Sequence, residues 1–221
     1  MKALSQIVPE QISAGIGNLR VVALSGLNMG QHWVHIEITL GSYGGRFGMD
    51  GMDAAVTLYA NTRNNPVKDI ESHVPLRVTR YELRHDTMPP GRWRGGIGTS
   101  RDFTLLSDAG FSIEGDGHAF KPWGLLAGTD GRTASLTLIA QDDTKRDFPS
   151  KVAYARVKAG DRLILIGPCG GGSGQPFQRA PSLVLSDVLD GLIPPESAAR
   201  DYGVVILDGP IDHPAASRLR D

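Results

Sequence analysis

The chain has 221 residues, with 23 basic and 24 acidic side chains and a formal net charge of -1. This balance excludes the basic field that holds nucleic acid and the acidic field that would hold a polycation. A single cysteine excludes an internal disulfide framework and favours a reducing compartment, so we expect a cytoplasmic location. The sequence has no apolar run of about eighteen residues and no signal-peptide pattern, so we expect neither a membrane span nor secretion.

Short alternating runs between turn residues predict a mainly β fold. The 28 glycines and 14 prolines are spread along the chain, which is typical of many short strands joined by tight turns. In residues 32–40, four apolar side chains alternate with polar ones: Val34, Ile36, Ile38 and Leu40 with His35, Glu37 and Thr39. This alternation predicts a strand whose apolar face is buried and whose polar face meets solvent. Further strands are predicted at residues 76–83, 101–108, 110–117 and 134–140. Residues 157–168 are predicted as a turn at 159–161 followed by a strand.

Helical patterns lie mostly at the C-terminal end. Residues 181–192 carry apolar side chains at helical spacing, with Gly191 as a C-cap. Residues 194–203 begin with proline and end at Gly203, which indicates a second short helix. Residues 53–62, by contrast, fit a strand or a short helix equally.

These elements predict one domain over residues 1–221, mainly β and of the α+β class. The β-rich body is predicted at about residues 1–178 and a helical hairpin at about residues 179–208. No internal repeat or clear linker divides the chain further.

One glycine-rich stretch is GSYGGRFGMDGMD, residues 41–53. A Walker loop ends in Gly-Lys-Ser/Thr and places its lysine on phosphate, and neither this stretch nor residues 167–176 contains a lysine. Backbone N–H groups at glycines can form an anion nest, but glycine also supplies positive φ at plain turns. The spacing favours a structural turn and leaves the anion nest as the alternative.

The residue types also suggest metal binding and thiol chemistry. His35 and Glu37 share one face of the predicted strand and can reach a single metal ion, although a solvated strand face explains the pair more simply. Asp50 and Asp53 suit either metal binding or hydrogen bonding within a turn. Cys169 lies in a glycine loop that could activate a thiolate, but a lone cysteine is more often inert.

An arginine cluster follows in GRWRGGIGTSRDF, residues 91–103. Arg92, Arg94 and Arg101 frame a glycine turn, and guanidinium groups bind carboxylate or phosphate bidentately. The same side chains can instead form surface ion pairs, which contribute little individually. The spacing does not choose between these roles.

Eight segments in this order resemble the hydantoinase B/oxoprolinase family: GSYGGRFGMDGMDA, NTRNNPVKDIESHVPLRVTRYELRHD, GRWRGGIGTSRDF, KPWGLLAGTDG, PSKV, VKAGDRL, GGGSGQP and DVLDGLIPPESAARDYGVVI. The family includes N-methylhydantoinase B subunits, the matching half of 5-oxoprolinase and the alpha subunits of acetone-type carboxylases. The resemblance runs from about Ile7 to Asp208 and matches only the C-terminal part of proteins that are more than twice as long.

The resemblance implies a part of an ATP-dependent enzyme that opens a cyclic amide, a hydantoin or a 5-oxoproline-like lactam. A fragment of an acetone-type carboxylase alpha subunit and a non-catalytic assembly module are the alternatives. ATP and a divalent metal are implied as cofactors, bound mainly outside this chain. The implied partners are a hydantoinase A-type subunit, which handles the nucleotide, and the N-terminal half of the B-type subunit. We therefore expect the isolated chain not to turn over ATP.

Within the resemblance, the candidate catalytic residues are Glu37, Asp50 and Asp53, which would orient a metal ion or water. The candidate binders of substrate or anion are Tyr43, Gly44, Gly45, Arg46, Arg92, Arg94 and Arg101. We expect Glu37, Arg46 and Asp50 to lie close together, because the intervening glycines let the chain fold back over the strand. We also expect an exposed apolar face for the missing half, with Trp33, Phe47, Trp93 and Trp123 as candidates.

Overall fold

The computed structural model describes residues 2–18, 20–55, 63–207 and 209–220. Its strands are β1 (Arg20–Asn28), β2 (Gln31–Thr39), β3 (Leu76–Leu83), β4 (Thr99–Leu105), β5 (Ala109–Gly115), β6 (Ser135–Ile139), β7 (Lys145–Phe148), β8 (Lys151–Val157) and β9 (Arg162–Ile166). Its helices are α1 (Val67–His73), α2 (Pro181–Leu189), α3 (Pro195–Tyr202) and α4 (His213–Arg220). Short 3-10 turns lie at Leu4–Gln6, Pro9–Gln11 and Pro176–Gln178. Most of the segment predicted as strand or helix at residues 53–62 lies outside the described residues.

The strands form two antiparallel sheets, and the predicted mainly β, α+β class is confirmed. One sheet has the order β2-β1-β5-β8 and the other the order β3-β4-β9-β6-β7. A single core cluster takes side chains from both sheets, so the sheets pack face to face. Phe111 of the first sheet meets Phe148 of the second edge to face, with ring centroids 5.1 Å apart. Burial of aromatic and aliphatic side chains between the sheets is the main stabilising contribution to this part of the fold.

The alternation predicted for β2 is present, but its buried face is the opposite one. His35 and Glu37 are buried, whereas Val34 and Ile36 are 65% and 62% exposed. The prediction that the apolar face points inward is therefore wrong. Period two defines two faces but not which one meets the core. Here Glu37 is buried because it has an ion-pair partner on the facing sheet, Arg101 of β4.

The C-terminal helices pack into a second core cluster with residues of the glycine-rich loops. Helix α3 begins at Pro195 and ends at Tyr202, and Gly203, just beyond it as the sequence predicts, is a left-handed C-cap with a φ of 64°. Helix α2 also lies within its predicted segment, whereas the sequence patterns do not predict β1, β7, β8 or α4. No helix in the described part of the chain has the length and apolar character needed to cross a membrane.

Glycine-rich segments outside the strands and helices are joined by their own main-chain hydrogen bonds. The Gly45 N–H donates to the Gly171 carbonyl at 2.8 Å, and the Gly171 N–H donates to the Gly15 carbonyl at 2.8 Å. The Gly96 N–H donates to the Tyr43 carbonyl, also at 2.8 Å. Backbone polar groups that lie outside regular structure thus find partners in neighbouring loops rather than in water. This packing fixes the loop of residues 41–53 against residues 91–98.

Candidate functional site

The loop of residues 41–53 is attached to its neighbours by two bidentate ion pairs. Asp53 accepts from Arg94 Nη1 at 2.8 Å and from Arg94 Nη2 at 2.9 Å. The same carboxylate accepts the backbone N–H of Ile97 at 2.7 Å. Asp50 accepts from Arg179 Nη1 and Nη2 at 2.7 and 2.8 Å. Both aspartates are therefore positioned by arginines from other segments of the chain.

A third carboxylate, Asp187 on α2, closes this network. Its Oδ2 lies 2.9 Å from Arg179 Nη2, and its Oδ1 lies 3.3 Å from Arg94 Nε. Asp50 also accepts the backbone N–H of Arg94 at 2.9 Å. Three aspartates thus enclose two guanidinium groups and connect two loops to the C-terminal helices. Charge-assisted bidentate contacts of this kind give strong geometric definition to irregular backbone.

Burial and charge act in opposite directions on the pKa values of this network. Burial raises the pKa of Asp187, and the nearby Arg179 and Arg94 only partly oppose that rise. Burial acts to lower the pKa of Arg94, but hydrogen bonding to Asp53 and the surrounding carboxylates raise it overall. Arg94 is therefore a permanent cation that is committed to carboxylates of its own chain. The sequence patterns mark neither Arg179 nor Asp187 as a site residue, because each meets its partners only through the fold.

Glu37 lies in a separate, enclosed cluster between the sheets. Its Oε1 is 2.9 Å from Arg101 Nη1, and its Oε2 is 3.0 Å from His35 Nε2. The Arg101 guanidinium also lies over the Tyr81 ring, 4.3 Å from its centroid. The buried Arg101 guanidinium already places a positive charge beside this carboxylate, so the cluster does not fit a divalent metal. Within the described ranges, no three His, Cys, Asp or Glu side chains gather as metal ligands.

The space that the alternative interpretation, an anion nest, would need is filled by backbone. A Cβ at Gly44 would overlap the carbonyl oxygen of Ala14, and a Cβ at Gly45 would overlap that of Trp93. The N–H of Gly45 is already bonded to Gly171. Glycine is therefore used here for close approach between main chains, and the residues present do not fit a nucleotide phosphate.

Four of the candidate residues do meet at one surface cavity of about 500 Å³: Tyr43, Gly44, Arg46 and Asp50. Apolar side chains complete the lining, among them Ile12, Met49 and Met52. Arg46 Nη2 lies 3.0 Å from the Met49 Sδ, and among the described residues it forms no ion pair. Glu37 does not line this cavity, and Arg92 lies instead over the Trp93 ring at 4.8 Å. The cavity therefore combines one exposed guanidinium with thioether and aliphatic walls.

A second cavity, of about 560 Å³, is lined by His118 together with Asp116, Lys121 and Lys151. His118 Nε2 lies 2.9 Å from Nη1 of the fully buried Arg20. Burial and the charge of Arg84 lower the pKa of Arg20 to about 10, so this guanidinium stays charged at neutral pH. Burial, followed by the charge of Arg20, lowers the pKa of His118.

The lowered pKa of His118 predicts a pH-dependent stability. The folded protein favours neutral His118, so the unfolded chain binds more protons as the pH falls from the ordinary value of 6.5 toward the lowered folded pKa. We therefore expect the free energy of unfolding to decrease as the pH is lowered across that window. Urea titrations should show a shallower fall in His118→Asn than in the unchanged chain. Equal slopes for the two proteins would contradict this assignment.

Comparisons with known proteins agree with this architecture. The sequence profile of the family "Hydantoinase B/oxoprolinase" matches residues 1–176. The chain is 53% identical, over its full length, to a protein of Pseudomonas sp. (strain NS671) that is provisionally named as the B-type subunit of a D-/L-hydantoinase. It covers 38% of that relative.

Two solved structures share the fold. The ATP-dependent caprolactamase from Pseudomonas jessenii aligns with a TM-score of 0.79 and 24% identity, over 99% of this chain and 40% of its own. The nucleotide-free acetone carboxylase aligns with a TM-score of 0.77 and 17% identity, over 98% of this chain and 34% of its own. Both likenesses concern the fold alone, and the Pseudomonas sp. relative is closer in sequence than either. With its profile match and this full-length similarity, the chain belongs to the hydantoinase B/oxoprolinase family.

Proposed function

We propose that the chain forms the C-terminal part of a B-type subunit in an ATP-dependent enzyme that opens a cyclic amide, a hydantoin or a related lactam. The observation that carries this proposal is the 53% identity, over the whole chain, to a relative named as the B-type component of a hydantoinase. The carboxylase alternative is supported only by a fold likeness at 17% identity.

The cavity at Arg46 is the part of this chain that we assign to substrate or to an adjoining subunit's ligand. Opening an amide places developing negative charge on the carbonyl oxygen, and pre-positioned donors lower the energy of that state. Arg46 supplies such donors beside Asp50, while Met49 and Met52 form an apolar part of the lining. Asp50 is held by Arg179, so the acidic wall is rigid. We place ATP and the metal outside this chain, because neither the glycine loop nor the Glu37 cluster fits them.

A non-catalytic assembly role is the second candidate. It is supported by the internal pairing of Asp50, Asp53 and Arg94 with other charges of the chain. Side chains satisfied in this way give the loops a fixed shape and do not need a substrate. Under this alternative the chain completes the shape of the subunit, and the chemistry takes place on other segments.

Reconstituted activity separates the two candidates. In a complex with an A-type subunit and the remainder of a B-type subunit, Arg46→Lys should reduce kcat/KM about tenfold, because an ammonium cannot reproduce a planar guanidinium fork. Arg77→Lys, on the exposed part of β3, is the matched control and should change kcat/KM less than about twofold. The assay should compare hydantoins, 5-oxoproline and caprolactam, each with and without ATP.

Two results would count against the catalytic assignment. Unchanged kcat/KM in Arg46→Lys would favour the assembly role. Steady ATP turnover by the purified chain alone would show that the nucleotide site lies within this chain, although its glycine loop does not fit a nucleotide phosphate.

A further inference from the structure

An apolar surface lies on the outside of the four-stranded sheet. Beyond His32, the outward side chains of β2 are Val34, Ile36 and Ile38, and their register partners on β1 are Ser25, Ala23 and Val21, respectively. We call these six residues the β1–β2 outer face. None of them is charged, and Val34 and Ile36 are each more than three-fifths exposed. Adjacent β-branched residues on an exposed sheet face are typical of a surface that another layer covers.

The face extends to an open edge of the sheet. β2 is the last strand of its sheet, and the turn that joins it to β1 presents Met29, which is 98% exposed. The opposite edge strand, β8, instead carries the exposed Lys151, Tyr154 and Arg156. The sheet is thus apolar toward β2 and charged toward β8. An apolar centre with a polar margin is the usual composition of a protein interface.

The aromatic side chains predicted for such a contact lie outside the β1–β2 outer face. Trp33 faces the core, and Trp93 and Trp123 are half-buried, whereas Phe47 is exposed in the glycine loop. The inverted burial of β2 is what reveals the surface, because it places Val34 and Ile36 outside.

We propose that the β1–β2 outer face is the docking surface for the remainder of a B-type subunit, the portion of the family's longer chain that this sequence does not match. The Pseudomonas sp. relative and the caprolactamase chain each contain more residues outside the matched region than inside it, since this chain covers 38% and 40% of them. The fold described here is retained within those longer chains, so part of its surface adjoins additional protein of the same subunit. This inference rests on the proposed function, and it adds the surface by which the chain contacts the rest of the B-type subunit.

Co-expression tests this docking surface. The chain would be expressed with a tagged segment comprising the part of the Pseudomonas sp. relative that it does not match, and the amount of co-purified chain would be measured. Ile36→Glu should reduce recovery at least about tenfold, because it places a charge in a desolvated apolar contact. Leu189→Glu is the matched control, since Leu189 is 70% exposed at the end of α2, and its recovery should be unchanged.

A milder variant and a folding measurement keep the result interpretable. Ile36→Thr retains a β-branched side chain suited to a strand and should reduce recovery to an intermediate level. Circular dichroism melting of both Ile36 variants should show a folded chain, because this side chain faces outward.

Three outcomes would overturn the proposal. The first is that the unchanged chain forms no complex with the segment, and the second is equal recovery of Ile36→Glu and Leu189→Glu. The third is self-association of the chain alone that Ile36→Glu abolishes, because a second copy would then be the occupant of the face. The readout is binding, so a complex that forms but lacks turnover would refute only the proposed reaction.

Discussion

Replacing Arg101 by leucine should lower the free energy of unfolding by about 3–5 kcal/mol. Arg101 and Glu37 are 1% and 2% exposed and pair at 2.9 Å between the two sheets. Leucine keeps an apolar side chain against Tyr81 and Phe103, which the guanidinium now covers. The main cause of the lost stability is therefore the removal of the Arg101 charge beside Glu37. The Glu37 carboxylate would remain buried with His35 as its neighbour. Equilibrium urea unfolding, followed by circular dichroism, measures the change.

Two further variants test that cause. Glu82→Gln removes an exposed partner of Arg80, at 3.4 Å, and should change stability by less than about 1 kcal/mol. The double variant Glu37→Leu with Arg101→Leu should recover much of the loss, because no unpaired charge then stays in the core. A double variant as unstable as Arg101→Leu would assign the loss to altered packing, and a loss below about 1 kcal/mol in the single variant would contradict the prediction.

The inverted face of β2 shows how far the sequence can predict this fold. Alternation locates the strand, because period two follows from backbone geometry. It cannot show which face is buried, since that depends on Arg101, which lies far along the chain and on another sheet. Val34 and Ile36 resemble core residues by composition alone. Their exposure follows only when the partners of His35 and Glu37 are known.

The charged network shows the same limit at the candidate site. Asp50 and Asp53 are recognisable because acidic residues beside glycines suit turns or ligands. Asp50 meets Arg179, which lies 129 residues further along the chain, and no local pattern marks that pair. The grouping of Arg46 with Asp50 at one cavity follows from their proximity in the loop, whereas Glu37 is buried beside Arg101 and does not line the cavity. Local spacing thus predicts neighbours within a loop and not contacts between segments.

The glycine loop gives the second large expected effect. Gly45→Ala should lower the free energy of unfolding by about 3 kcal/mol or more. A Cβ at this position would overlap the carbonyl oxygen of Trp93 and crowd that of Arg94, and neither backbone group can move as a side-chain tip does. Separation of these segments would also stretch the hydrogen bond from the Gly45 N–H to Gly171. Thermal and urea unfolding of purified protein would measure the loss.

Gly48→Ala, three residues along the same loop, distinguishes close packing from backbone conformation. Gly48 has a φ of 80° and no atom within 4 Å of an added Cβ, so alanine there should cost only about 1–2 kcal/mol through the left-handed conformation. If both variants lost the same stability, glycine would serve this loop by its conformational freedom, as in a plain turn. A larger loss in Gly45→Ala would show that its absent side chain allows the main chains of two loops to meet. Because Arg46 follows Gly45 directly, that contact also fixes the backbone position from which the Arg46 side chain extends.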